Sequence, residues 1–77
     1  MARYFIHLLD GDSVRDEDGE DFPDLDSARR AALRTLAQSL ASREDRFWMD
    51  GLLKVVLEDE QGRQHTVLEV RDVTPES

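Results

Sequence analysis

The densest group of reactive side chains in this 77-residue sequence lies between Asp10 and Asp26. Nine acids (Asp10, Asp12, Asp16, Glu17, Asp18, Glu20, Asp21, Asp24 and Asp26) share that segment with one base, Arg15. Clustered carboxylates can ligate a hard cation, work as a general acid–base pair, or attract a basic partner. A calcium loop needs oxygen ligands at its first, third, fifth and twelfth positions around a glycine at the sixth. With Gly19 at the sixth position those places fall on Val14, Asp16, Asp18 and Leu25, and two of the four have no side-chain oxygen. Weak cation binding remains as one alternative reading. Acid–base catalysis needs a cleft that drives two carboxyl pKa values apart. Docking needs only exposure, and Asp16, Glu17, Asp18, Glu20 and Asp21 form a strip suited to a basic protein partner. The plainer role for the same residues is a solvated sheet edge that keeps the protein soluble.

Other chemistry is sparse. With no cysteine there is no disulfide, thiolate metal site or cysteine nucleophile. The five serines (Ser13, Ser27, Ser39, Ser42 and Ser77) lie outside any Gly-x-Ser-x-Gly elbow, and the four glycines are isolated rather than gathered in a phosphate-cradling loop. His7 and His65 could approach only if their strands were adjacent, with Glu69 as a further carboxylate, and no HxH or HxxxH spacing supports a metal site. The expectation is no catalytic residue, no metal and no cofactor.

The elements that must position these residues follow from pattern. Residues 3–9 are aromatic and branched, with Tyr4, Ile6 and Leu8 on one face and Phe5, His7 and Leu9 on the other, as in an inner strand. Asp10-Gly11 predicts a hairpin, with a return strand from about Ser13 to Asp16 that resumes after a break at Asp18-Gly19. Asp24 is placed to cap a helix whose apolar stripe is Leu25, Ala28, Ala32, Leu36 and Leu40, flanked by Leu33. Lacking Gly or Pro over residues 24–50, that helix can run to Ser42 or as far as Trp48. Strands over residues 52–58 and 64–73 are joined by the turn Asp59-Glu60-Gln61-Gly62, and residues 74–77 read as a frayed tail. The prediction is one α+β domain over residues 1–73, ordered β-β-α-β-β, with one helix on one face of a roughly four-stranded antiparallel sheet.

The motifs in that order resemble a known family. The run from Arg3 to Gly11 (RYFIHLLDG), then Phe22-Pro23-Asp24-Leu25, an Ala/Arg-rich helix, and Val56 to Arg63 (VLEDEQGR) are similar to a small bacterial family of unknown function common in proteobacteria. Its members open with a pattern like RYYFHLxDG, continue through LPDL and close with a hairpin of the form VxDExGxxLxxVxF. The likeness covers nearly the whole chain. It departs at Ile6, where an aromatic is common, and at Glu69-Val70, which stand in place of a Pro-Phe pair. The resemblance implies no activity and no site residues. The same hairpin, Pro23-Asp24-Leu25 and Ala-rich helix also resemble HicB-type antitoxins, acidic modules that bind a basic toxin, although Asp26 stands where those have a glycine.

Net charge sharpens the functional expectation. The chain carries −8, all of it from residues 10–26, since nine acids and nine bases balance elsewhere. An anionic surface repels phosphate backbones and anionic lipid, so neither nucleic acid nor membrane is an expected partner. Residues 3–9 are too short an apolar run for a signal segment or a span, and absent cysteine suits a reducing cytoplasm. Phe47, Trp48 and Met49 are expected to close the open end of the core, or otherwise to form a contact patch. A helix covers only one sheet face, so Phe5, Val56 and Val67 on the other are candidates for self-association as a homodimer. The resulting expectation is a non-enzymatic interaction module that self-associates and offers an acidic strip to a basic protein, with a HicB-like antitoxin or a weak cation binder as alternatives.

Overall fold

The computed structural model describes residues 1–11 and 13–75. Asp12 of the acidic run and the last two residues of the expected tail lie outside the described residues. Among the described residues, five strands and two helices follow in the order β1 (Ala2–Leu9), β2 (Ser13–Val14), β3 (Glu20–Phe22), α1 (Leu25–Ser42), α2 (Glu44–Asp50), β4 (Leu52–Asp59) and β5 (Gln64–Arg71). The sheet is antiparallel in the order β2-β1-β4-β5, and β3 pairs with β1 as well. The α+β class and the helix-on-sheet arrangement are those that the periodicities predict.

β2 and β3 are two pieces of one interrupted return strand. β2 pairs with Leu8 and Leu9 at the end of β1, and β3 with Ala2, Arg3 and Tyr4 at its start. The middle of that edge, at Phe5, Ile6 and His7, is left without a strand partner among the described residues. A loop over residues 15–19 fills the gap.

The core lies between α1 and the inner face of the sheet. Leu8, Phe22, Ala28, Ala32, Leu36, Leu53, Val55 and Leu57 are buried there, with Ile6, Leu25, Leu40, Leu68 and Val70 packed at the margins. Alanines at 28 and 32 have no bulk to hold the helix away from β4, and both are fully buried. Leu33, which flanks the apolar stripe in sequence, stays 58% exposed. Asp24 accepts from the Ser27 N–H at 2.8 Å and starts α1 as its composition predicts.

The long uninterrupted helix does not extend to Trp48. It stops at Ser42, Arg43 takes a non-helical conformation, and α2 begins at Glu44. No Gly or Pro causes this break. Arg43 instead turns its guanidinium onto the buried carboxylate of Asp10 in the β1–β2 connection, and the redirected chain brings Phe47 against the core. Of the cluster expected to close the core, Phe47 alone does so; Trp48 is 64% exposed and Met49 more so.

Candidate functional site

The face of the sheet turned away from α1 carries the candidate site. Register places Phe5 opposite Glu58, His7 opposite Val56, and Val56 opposite Val67 on this face. Above them passes the loop of residues 15–19, so much of the face is covered. His7 is only 6% exposed, Val56 is buried, and Phe5 is half-buried beneath Gly19. Gly19 has φ +71°, and a Cβ there would stand 2.9 Å from Phe5 Cε1. Both the left-handed backbone and the ring beneath require glycine. The apolar patch expected from Phe5, Val56 and Val67 is therefore much reduced, and Val67 alone of the three is exposed.

Asp16 organises the loop. Its Oδ2 accepts the Ile6 N–H at 3.2 Å, in the gap between β2 and β3 where a strand would have done so. Its Oδ1 accepts from Gly19 N at 3.0 Å and Asp18 N at 3.2 Å. Burial pushes this carboxyl upward, but the N–H bonds from Gly19, Ile6 and Asp18 outweigh it and hold the group below its ordinary value. Asp16 also fixes the histidine, because its own backbone N–H donates to His7 Nδ1 at 3.0 Å. A ring nitrogen that accepts has no proton, so the neutral ring carries its proton on Nε2.

That Nε2 points toward Glu58, with Oε1 at 3.6 Å, too long for a hydrogen bond, and among the described residues it has no hydrogen-bond partner. A protonated Nε2 has no lone pair to give a metal. The flat rings of Phe5 and His7 lie nearly parallel, at 9° with centroids 6.5 Å apart. Together they form part of the floor of a shallow depression of about 530 Å³ whose walls are the 15–17 segment and the β4–β5 hairpin. Glu17, Glu58, Asp59 and Glu60 stand around it, with Arg15 as the basic residue among its walls.

Of the acidic strip read from the sequence, Glu17 reaches this depression as an exposed rim residue, whereas Asp16 lines it with both oxygens already engaged. Asp18 and Glu20 are exposed beyond it. Asp21 is paired with Arg3 at 3.3 Å, and Arg3 also donates to the Asp18 carbonyl. Glu58 and Glu60, from the far end of the chain, complete the acidic rim. Sequence reasoning did not connect them to the strip, because only the β1–β4 register brings Glu58 beside Phe5.

The two histidines do not meet. β4 separates β1 from β5, and a bulge at Leu57/Glu58 leaves His65 near the opposite face, where its ring lies edge-on to Tyr4 with centroids 5.8 Å apart. His65 Nε2 lies 2.9 Å from Asp59 Oδ2, and Asp59 Oδ1 accepts from Gln61 N and Arg63 N, each at 2.9 Å. The His65 bond first, then the Arg63 N–H, hold the Asp59 carboxyl below its usual range. Asp59 is thus the anchor of the second hairpin. Among the described residues no group of three or more His, Asp or Glu side chains is gathered to hold a metal ion.

Comparison with known proteins bears on this architecture. Residues 3–74, which contain both walls of the depression and all of the described strands except Ala2 of β1, match a family described as Domain of unknown function (DUF6894). The chain belongs to that family. No curated protein and no solved structure matches it. Family membership therefore covers the fold and the candidate site together and attaches no activity to either. Among the described residues no helix is long and apolar enough to cross a membrane.

Proposed function

We propose that this domain is a non-enzymatic protein-interaction module of the cytoplasm that receives a basic segment of a partner in the depression beside the acidic loop, and that it works as a homo-oligomer. The observation that carries this reading is the pairing of an aromatic floor, Phe5 beside His7, with the rim carboxylates Glu17, Glu58 and Glu60. An arginine or lysine side chain entering there meets a ring face that attracts cations and carboxylates that pair with it. Glu58 suits the role because its side chain is only 20% exposed, so a charge pair made with it is less screened than one made on open surface. The buried Nε2–H of His7, left without an acceptor, marks the same place, since a native fold seldom leaves such a donor unanswered.

The test is fluorescence anisotropy with labelled peptides of basic, neutral and acidic composition. The basic peptide should bind, its affinity should fall as salt rises, and each of Glu17→Gln, Glu58→Gln and Glu60→Gln should weaken it by about two- to fivefold. Equal binding of all three peptides, or basic-peptide binding untouched by the three substitutions, contradicts the proposal.

A further inference from the structure

β5 is the edge of the sheet. β4 pairs with one side of it, and among the described residues no strand pairs with the other. An open edge of eight residues is a template for pairing, which proteins usually blunt with proline, lysine or a bulge. Here a bulge lies at the Gln64 end only, and the rest of the strand has neither proline nor lysine. Its charges are Glu69 and Arg71, of opposite sign and two positions apart on the far face, joined at 2.9 Å. Val67 and Val73 lie on either side of them at 48% and 72% exposure. The strand direction continues beyond Arg71, because Asp72 N–H still donates to the Gly51 carbonyl at 2.9 Å.

These positions share one centre. In an antiparallel pair of identical strands related by a two-fold axis, one residue faces its own copy and its neighbours face each other's mirror positions. With Val70 on the axis, Glu69 faces Arg71 of the second copy and Arg71 faces Glu69. The same register sets Val67 against Val73 and Val73 against Val67. Centring on Glu69 or on Arg71 would bring like charges face to face. Centring on Leu68 would set Val67 against Glu69. The Val70 register alone among these four matches charge with charge and valine with valine.

We infer that β5 pairs antiparallel with β5 of a second copy of this chain about an axis through Val70, joining two sheets into one. This rests on the self-association proposed above and moves it from the partly covered sheet face to the edge. Opposite charges directly across a strand pair stabilise it and like charges weaken it.

The test is sedimentation equilibrium of the wild type, Glu69→Arg and Arg71→Glu, alone and mixed. The wild type should show a mass near twice 8.9 kDa. Each variant alone sets like charges across the axis at two places and should dimerise more weakly by about tenfold or more. An equimolar mixture should recover the wild-type affinity, because the two basic side chains of one variant then face the two acidic side chains of the other. A charge pair within one strand cannot produce that recovery, and the mixture also shows that both variants are folded. A wild-type protein that is monomeric into the high micromolar range overturns both the edge pairing and the self-association reading. A dimer that ignores both substitutions overturns the edge pairing alone and returns self-association to another surface.

Discussion

The carboxylate of Asp16 accepts from three backbone N–H groups, and its backbone N–H in turn occupies His7 Nδ1. One residue therefore closes the gap in the sheet edge, shapes the loop and selects the histidine tautomer. Asp16→Asn keeps the size but presents an amide N–H₂ toward one of these donors, leaving it unanswered. The expected loss is about 1–3 kcal/mol in urea unfolding, with faster hydrogen exchange at the Ile6 amide. Because the Asp16 and Asp59 carboxyls lie below their ordinary values in the folded chain, the stability they contribute is complete above the unfolded value, about pH 4, and drains away as pH falls through the lower folded values. Urea midpoints measured from pH 5 down to pH 2 should show this decline, with a shallower slope in Asp16→Asn. Gly19→Ala combines an unfavourable positive φ with contact against Phe5 and should cost about 1–3 kcal/mol by the same assay.

Among the elements, the α1–α2 break depends on Arg43. Removing its guanidinium in Arg43→Ala takes the ion pair from a buried Asp10 carboxylate and loosens α2 from the β1–β2 connection. The cost should be about 1–3 kcal/mol in urea unfolding, less than for a fully enclosed pair because Arg43 is partly solvated. Trp48 on the same helix is exposed, so Trp48→Ala should change stability by no more than about 0.5 kcal/mol. The helix break is also where the sequence was least legible. Residues 24–50 contain no Gly or Pro, and the break coincides with a long-range ion pair, Arg43 with Asp10, that local pattern cannot reveal. The strand character of β1 and β4, the Asp24 cap and the alanine-lined stripe were readable because each is set by residues within a few positions of one another. The candidate site was half legible. The acids of residues 16–20 announce themselves by density, and Asp16 with Gly19 three positions on has the makings of a local turn. Glu58 and Glu60 join them only through strand register, and the burial of His7 follows from the loop passing above it.

Across the whole molecule, the net charge of −8 is concentrated in residues 10–26, and the structure folds part of that segment over the sheet face instead of leaving it as a separate acidic tail. Part of the acidity is used internally, by Asp10 with Arg43, Asp16 with the backbone and Asp21 with Arg3. Near the depression, Glu17, Asp18 and Glu20 stay exposed, joined by Glu60 and the partly exposed Glu58. The outward charge of this segment is thus smaller than composition suggests, and Glu17, with Glu58 and Glu60, stands around one aromatic floor. The most direct measurement is an NMR titration of the ¹⁵N-labelled protein with an arginine-containing peptide at low salt. Amide shifts should be confined to residues 5–7, 15–20 and 58–62, and abolished in a Glu17→Gln/Glu58→Gln/Glu60→Gln variant. Shifts centred on α1 or α2, or none at millimolar peptide, would contradict a basic segment seated in the depression.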